Sequence, residues 1–276
     1  MNFSILFLFL VAHLSGDFIF QSNKILETRY SIKCRRTRIL GNVHHVLKHL
    51  LILFVLTLYF LSLKVILAIL ILSVIHFLID CIKSEIVVEW PFYSFSLLLF
   101  LADQVLHFLT IALTAHWVSI NFINRYYLNA LIKMLIPFRI IIMITYKQRI
   151  LLAIILLVIG LWVVGIFIRI FFNYLQFKPY KKLINNGFQI SHIYNNTGAQ
   201  DGGLYIGIFE RLFIICSIVL LKPEIIGFVL TTKSIARFKK FDDDAFVEKF
   251  IIGSFISFIS AIIIGILIKK LLIVPY

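Results

Sequence analysis

Val65–Ile82 reads VILAILILSVIHFLIDCI, and it carries one full charge, Asp80. About 20 mostly apolar residues are enough for a helix to cross the hydrocarbon core of a bilayer. The run is apolar all round, so it is no surface helix of a soluble domain. Inside it sit His76 and Asp80, four residues apart and therefore on one face of a helix. A membrane-length apolar run with a polar pair buried in it is the theme of the whole N-terminal half.

Similar runs occupy Phe3–Gln21, Val43–Leu61, Phe95–Trp117, Leu128–Ile144, Ile150–Phe172, Tyr205–Leu221 and Phe250–Ile268. Leu128–Ile144 is marginal because Lys133, Pro137 and Arg139 interrupt it. Ile225–Leu230 is too short to span and reads as half of a tilted or re-entrant element. The expected fold is all-α, a polytopic transmembrane helical bundle of about seven or eight spans, because only closed backbone hydrogen bonding survives in hydrocarbon. Composition agrees. The 276 residues are 61% hydrophobic and 14% charged, and the mean hydropathy is +1.02. Soluble domains average roughly 25% charged residues, and disordered chains are polar; both classes are excluded.

The 27 Lys and Arg outnumber 13 Asp and Glu, giving a net charge of +14. Six of the basic residues, Lys24, Arg29, Lys33, Arg35, Arg36 and Arg38, crowd residues 24–38 against one acid, Glu27. Such a loop is expected on the cytoplasmic side. Anionic lipid is its simplest partner, and nucleic acid is not expected, since aromatic residues are not interleaved with the charges. The apolar N-terminus lacks a basic leader and runs straight into Asp17, so it reads as a retained helix. Cys34, Cys81 and Cys216 are far apart and imply neither disulfide framework nor zinc knuckle. The expected organisation is a four-helix His/Asp-rich bundle over 1–120, further membrane helices over 121–175, a polar linker over 176–203, and C-terminal membrane helices over 204–276. The expected location is a bacterial cytoplasmic (inner) membrane, multi-pass; the sequence leaves the oligomeric state open.

Four pairs at i,i+4 spacing fall one to each of the first four apolar runs: His13/Asp17, His45/His49, His76/Asp80 and Asp103/His107. Random placement of the 8 His and 7 Asp over this length gives about one such pair. Counting about 1.5 Å per residue from the basic loop puts all four at roughly 10–12 Å from the cytoplasmic helix ends, in one layer. Ionisable groups at that depth are costly, face the bundle interior and mark function. His and carboxylate without thiolate suit a divalent metal, one or two ions, zinc first and iron or manganese next. Nickel also fits the donor set. His13, Asp17, His45, His49, His76, Asp80, Asp103 and His107 are the candidate ligands; a carboxylate that does not ligate would orient an imidazole. The rival reading is a His/Asp relay for protons or ions. Taken singly, an intramembrane His is more often a helix-contact residue. His44, His116 and His192 read as bystanders.

The stretch His13-Leu-Ser-Gly-Asp17-Phe-Ile-Phe-Gln21 resembles the opening motif of a bacterial membrane family, domain-of-unknown-function family 3307. His45-x-x-x-His49, His76-Phe77-x-x-Asp80-x-x-Lys83 and Asp103-Gln104-x-x-His107 are similar to its next three motifs in order. Gly203–Arg211 and Lys233–Arg237 resemble a second block of longer members, while Glu248-Lys249 departs from a Glu-Tyr found there. The family is distantly similar to bacterial inner-membrane proteins described as metal-dependent hydrolases. That likeness implies hydrolysis of an amphiphilic substrate near the cytoplasmic leaflet, with an unligated Asp17 or Asp103 as general base. A divalent-ion or proton transporter or channel is the alternative, and a non-catalytic sensor or subunit with a structural metal is another.

Gln21, Lys24 and Lys83 lie one or two turns from the pairs, at the expected cytoplasmic mouth. There they offer contacts to an anionic head group, although such lysines are ordinarily snorkelling and orientation charges. Glu210 and Arg211 are expected to pair with Lys233 or Arg237 in a structural, neutralised cluster.

Overall fold

The computed structural model describes residues 3–32, 34–89, 96–119, 145–176 and 202–273, and every regular element among them is a helix. Helix α1, Phe3–Leu14, continues into a π-helical turn, Ser15–Ile19. The chain then bends by 89° into the short α2, Asn23–Arg29. Next come α3, Arg35–Thr57, extended by a 3-10 turn to Phe60, then α4, Leu63–Glu89, and α5, Ser96–Ser119. Further on, α6 (Tyr146–Val158) runs through a second π turn, Ile159–Val163, into α7 (Val164–Gln176). The last three are α8, Gly202–Val219, α9, Glu224–Arg237, and α10, Asp244–Ile273.

Among the described residues, six helices are long and apolar enough to cross a membrane, and seven if α1 and α2 count as one bent span. This is a polytopic helical bundle, as expected. The marginal run Leu128–Ile144 lies outside the described residues, as do 177–201 of the polar linker. Ile225–Leu230 sits within the 14-residue α9, a fuller helix than the half-element expected. The basic stretch is also more ordered than a loop. It contains α2 and the first turn of α3, which begins at Arg35, eight residues before the apolar run. Helix formation depends on backbone bonding and not on apolarity, so helices outrun their hydrophobic segments.

The described helices form two compact units that divide within the long α6–α7 helix, between Ile155 and Leu156. In the first, Ala12, Ala68 and Ala115 are completely buried. Lipid is as apolar as leucine, so helices associate through close packing at small side chains. The outward faces carry Leu47, Leu51, Leu63, Leu70, Val74, Leu78 and Leu113, all exposed. A soluble protein would not present such a belt. The polar pairs point the other way, into the unit.

Candidate metal centre

Regular helical spacing brings three of the four pairs inward. His45 and His49 come from α3, His76 and Asp80 from α4, and Asp103 and His107 from α5, all at most 4% exposed except His76 at 7%. The fourth pair is shaped differently. Asp17 lies in the π turn, where the Phe20 N–H donates to the Ser15 carbonyl, five residues back (2.9 Å). The wider turn holds Asp17 Oδ2 3.6 Å from His13 Nε2. π turns are rare and frequently mark functional sites. Gly16, in the same turn, lies against the His49 ring, in space a Cβ would occupy.

All eight residues meet in one cluster. Ring centroids are 4.1 Å apart for His49 and His76, 4.2 Å for His76 and His107, 4.6 Å for His45 and His49, and 4.7 Å for His13 and His107. Asp17 Oδ1 is 3.0 Å from His45 Nε2, 2.9 Å from His49 Nε2 and 3.7 Å from His76 Nε2. Asp80 Oδ2 lies 3.4 Å from His45 Nε2 and 3.3 Å from His76 Nε2. His107 Nε2 lies 3.4 Å from Asp103 Oδ1 and 3.9 Å from Asp80 Oδ1.

These atoms are close, yet few are bonded to each other. Nε2 of His13, His49, His76 and His107, Nδ1 of His45, Oδ2 of Asp80 and Oδ1 of Asp103 are buried without a hydrogen-bond partner. Leaving one such group unmet costs about 1–3 kcal/mol, so seven together need an explanation. Donor atoms about 2.0–2.2 Å from a shared cation stand about 3 Å from one another and aim at the cation, not at each other. The donor chemistry and the spacing therefore fit a divalent ion. Three overlapping groups have donor atoms within 4.8 Å of one another: His13, Asp17, His49 and His76; His45, His76 and Asp80; and Asp17, Asp103 and His107.

A cavity of about 20 Å³ borders the cluster, lined by His13, His49, His76 and His107, by the apolar Phe9, Leu53, Leu72 and Ile111, and by the hydroxyl residues Ser73 and Thr110. That is room for one water. Farther along the helices the buried hydroxyls turn back on their own backbones. Thr57 donates to Leu53, Ser73 to Ile69 and Thr114 to Thr110.

Two cations enter the cluster from its other side. Arg29, only 3% exposed, reaches back from the end of α2, and its Nη2 is 2.7 Å from Asp80 Oδ1. Its Nε donates to Asn42 Oδ1 (2.8 Å), and Asn42 Nδ2 donates to Ser84 Oγ (2.8 Å). Gln21, with its amide turned to suit both neighbours, donates to the Asp17 carbonyl (2.9 Å) and accepts from Arg29 Nη1. A Cβ on Gly41 would lie 2.7 Å from the Arg29 backbone nitrogen, so this glycine lets α2 settle onto α3. Lys83 also turns inward instead of snorkelling, its Nζ 2.6 Å from Asp103 Oδ2. Gln104 donates to the same oxygen (3.0 Å). Lys24 is exposed, as are the bystanders His44 and His116; His192 lies outside the described residues.

Arg29, Asn42, Ser84 and Gly16 belong to the site without forming any i,i+4 His/Asp pair. Arg29 was hidden among basic neighbours, and only its place in a helix folded back under the bundle sets it apart. Gly16 stood inside the His13–Asp17 motif, but its role depends on contact with a distant helix.

In the second unit Glu210 pairs with Lys233 at 2.6 Å, as the charges suggested, and Lys233 also lies over the rings of Phe250 and Phe258. Arg211 takes neutral partners instead. Its Nη2 donates to the Leu161 carbonyl (2.6 Å), within the second π turn, and its Nη1 to Ser257 Oγ (3.3 Å). Gly165 and Gly207 leave room for its guanidinium. Arg237 makes no such bond among the described residues.

The model of the family described as "Protein of unknown function (DUF3307)" matches residues 5–135, which hold all eight His and Asp of the cluster. No curated protein and no solved structure matches the chain, so the likeness to metal-dependent hydrolases has no counterpart there. Over residues 5–135, a little under half of its length, the chain is similar to the DUF3307 family.

Proposed function

We propose that the first unit is a membrane-embedded, divalent-metal-dependent hydrolase acting on an amphiphile at the cytoplasmic leaflet of a bacterial inner membrane. The observation that carries this reading is the water-sized cavity, bordered by unpartnered Nε2 atoms from four different helices. A catalytic site needs a ligand position that protein does not fill, whereas a purely structural site is closed. A divalent ion here, zinc before iron or manganese, would act as a Lewis acid toward water and toward a scissile carbonyl or phosphoryl group.

The chain's own residues do the rest. His13, His49, His76 and Asp17 form the principal donor set, with His45, Asp80 and His107 around it. Asp103, whose Oδ2 is held by Lys83 and Gln104, keeps Oδ1 toward His107 and is the group placed to accept a proton. Asp17, facing four imidazoles, is a ligand and not a free base. Phe9, Leu53, Leu72 and Ile111 exclude further water. The exposed Arg35, Arg36 and Lys24 meet anionic lipid and hold this face at the cytoplasmic surface.

Transport is disfavoured because the hydroxyls of Ser73 at the cavity and of Thr57 and Thr114 are each bonded to their own helix backbone. The test is turnover by protein reconstituted in lipid, offered amphiphilic esters and phosphoesters with zinc and with a chelator. Product released only with metal, and lost in His13→Ala, supports the reading. Metal uptake into proteoliposomes without turnover of any amphiphile contradicts it and favours transport.

A further inference from the structure

Two-ion centres hold their metals about 3.5–4 Å apart and clamp both reacting oxygens of a displacement. The overlap of three donor groups at Asp17 and His76 invites that reading here. Arg29 and Lys83 oppose it. A carboxylate that bridges two ions uses both of its oxygens. Asp80 Oδ1 is already 2.7 Å from the Arg29 guanidinium, and Asp103 Oδ2 is 2.6 Å from the Lys83 ammonium. Only Asp17 keeps both oxygens among imidazoles.

Charge gives the same answer independently. Imidazoles that ligate a cation are neutral. Asp17, Asp80 and Asp103 against Arg29 and Lys83 leave the cluster with one negative charge. One divalent ion brings it to one positive charge, and two ions bring it to three, buried where uncompensated charge is most costly. The remaining acid nearby, Glu85, is engaged outside the cluster by Arg38 (2.7 Å) and Arg35 (3.5 Å) and offers no relief.

On the reading that this cluster binds metal, we infer that it takes a single divalent ion, and that Arg29 and Lys83 stand where a second ion would otherwise be held. Arg29 is fixed in that role by Asn42, Gln21 and the approach of α2 at Gly41. Asp80 thus serves as a partly neutralised carboxylate that orients His76, Asp103 keeps only Oδ1 free toward His107, and the donor group of His13, Asp17, His49 and His76 carries the ion.

The experiment is zinc titration of the full-length chain in detergent or nanodiscs, with bound zinc counted by elemental analysis after exhaustive removal of free ion. One zinc per chain is expected for wild type and for Lys24→Met, which removes an exposed cation near the mouth. Arg29→Met and Lys83→Met, each freeing one carboxylate oxygen, are expected to rise toward two. Arg29→Lys, which keeps the charge, is expected to stay at one. Two zinc ions in wild type would overturn the inference while leaving metal binding intact. No zinc in wild type would overturn both. If a variant fails to fold, the wild-type count still decides. Folded variants that remain at one zinc would show that the two cations do not set the number.

Discussion

Gly16 lies flush against the imidazole of His49, and a Cβ at that position would overlap the ring. The contact is possible because a π turn in one helix faces a regular α-helical turn in another, so backbone geometry at residue 16 fixes where the His49 imidazole can stand.

Gly16→Ala should therefore push His49 aside without altering any donor. The expected loss of metal affinity is about 10–100-fold, the range for groups that orient ligands. Isothermal titration with zinc measures it, and unchanged affinity would show that the ring has room to move. Insertion should be unaffected, since alanine is no less apolar than glycine.

Cys34 precedes Arg35 at the start of α3 and is exposed, and the nearby backbone N–H groups of Thr37 and Arg36 hold its thiol pKa below the ordinary value. A lowered pKa means that the reactive thiolate is populated at lower pH. The rate of maleimide labelling should rise with a midpoint below that of a model cysteine. An impermeant reagent should label Cys34 in inside-out vesicles and fail on intact cells. Efficient labelling of intact cells would invert the topology argued from residues 24–38.

Glu210 and Lys233 form a largely buried pair whose loss leaves one charge without its partner. Glu210→Gln or Lys233→Met alone should each lower stability by about 2 kcal/mol, less than the 3–5 kcal/mol of a dry pair because Lys233 keeps some exposure. The double variant should recover most of that loss. Thermal unfolding of the three variants checks it; additive losses would mean that the pair is not coupled.

Much of this was legible from residue order. The length and apolarity of runs such as Val65–Ile82 determine a membrane bundle, since few other states tolerate them. The i,i+4 pairs were legible because helical periodicity alone puts both members on one face. The partners of the carboxylates were not. Arg29 lies 51 positions before Asp80, and nothing local distinguishes it from Arg35 or Arg36, which stay exposed. Charge counting treated residues 24–38 as one basic patch, a valid argument about sidedness that says nothing of which residue folds inward. Lys83 departs from expectation for a related reason: snorkelling is the default for a lysine near a helix end, until a buried carboxylate comes within reach. The π turn at Ser15–Ile19 left no periodic trace, because it adds one residue to a single turn.

His49 is the sharpest probe of the central claim. It is 2% exposed, and its Nε2 stands 2.9 Å from Asp17 Oδ1 without hydrogen-bond alignment. His49→Ala removes a polar group from an apolar span, so membrane insertion should not suffer. The decisive measurement is the metal content of wild type and His49→Ala, purified side by side at equal folded yield. Metal is expected in the wild type, with near-complete loss in the variant, beyond the roughly 10–100-fold weakening expected of an orienting residue. Equal metal content in the two proteins, or none in either, would contradict it.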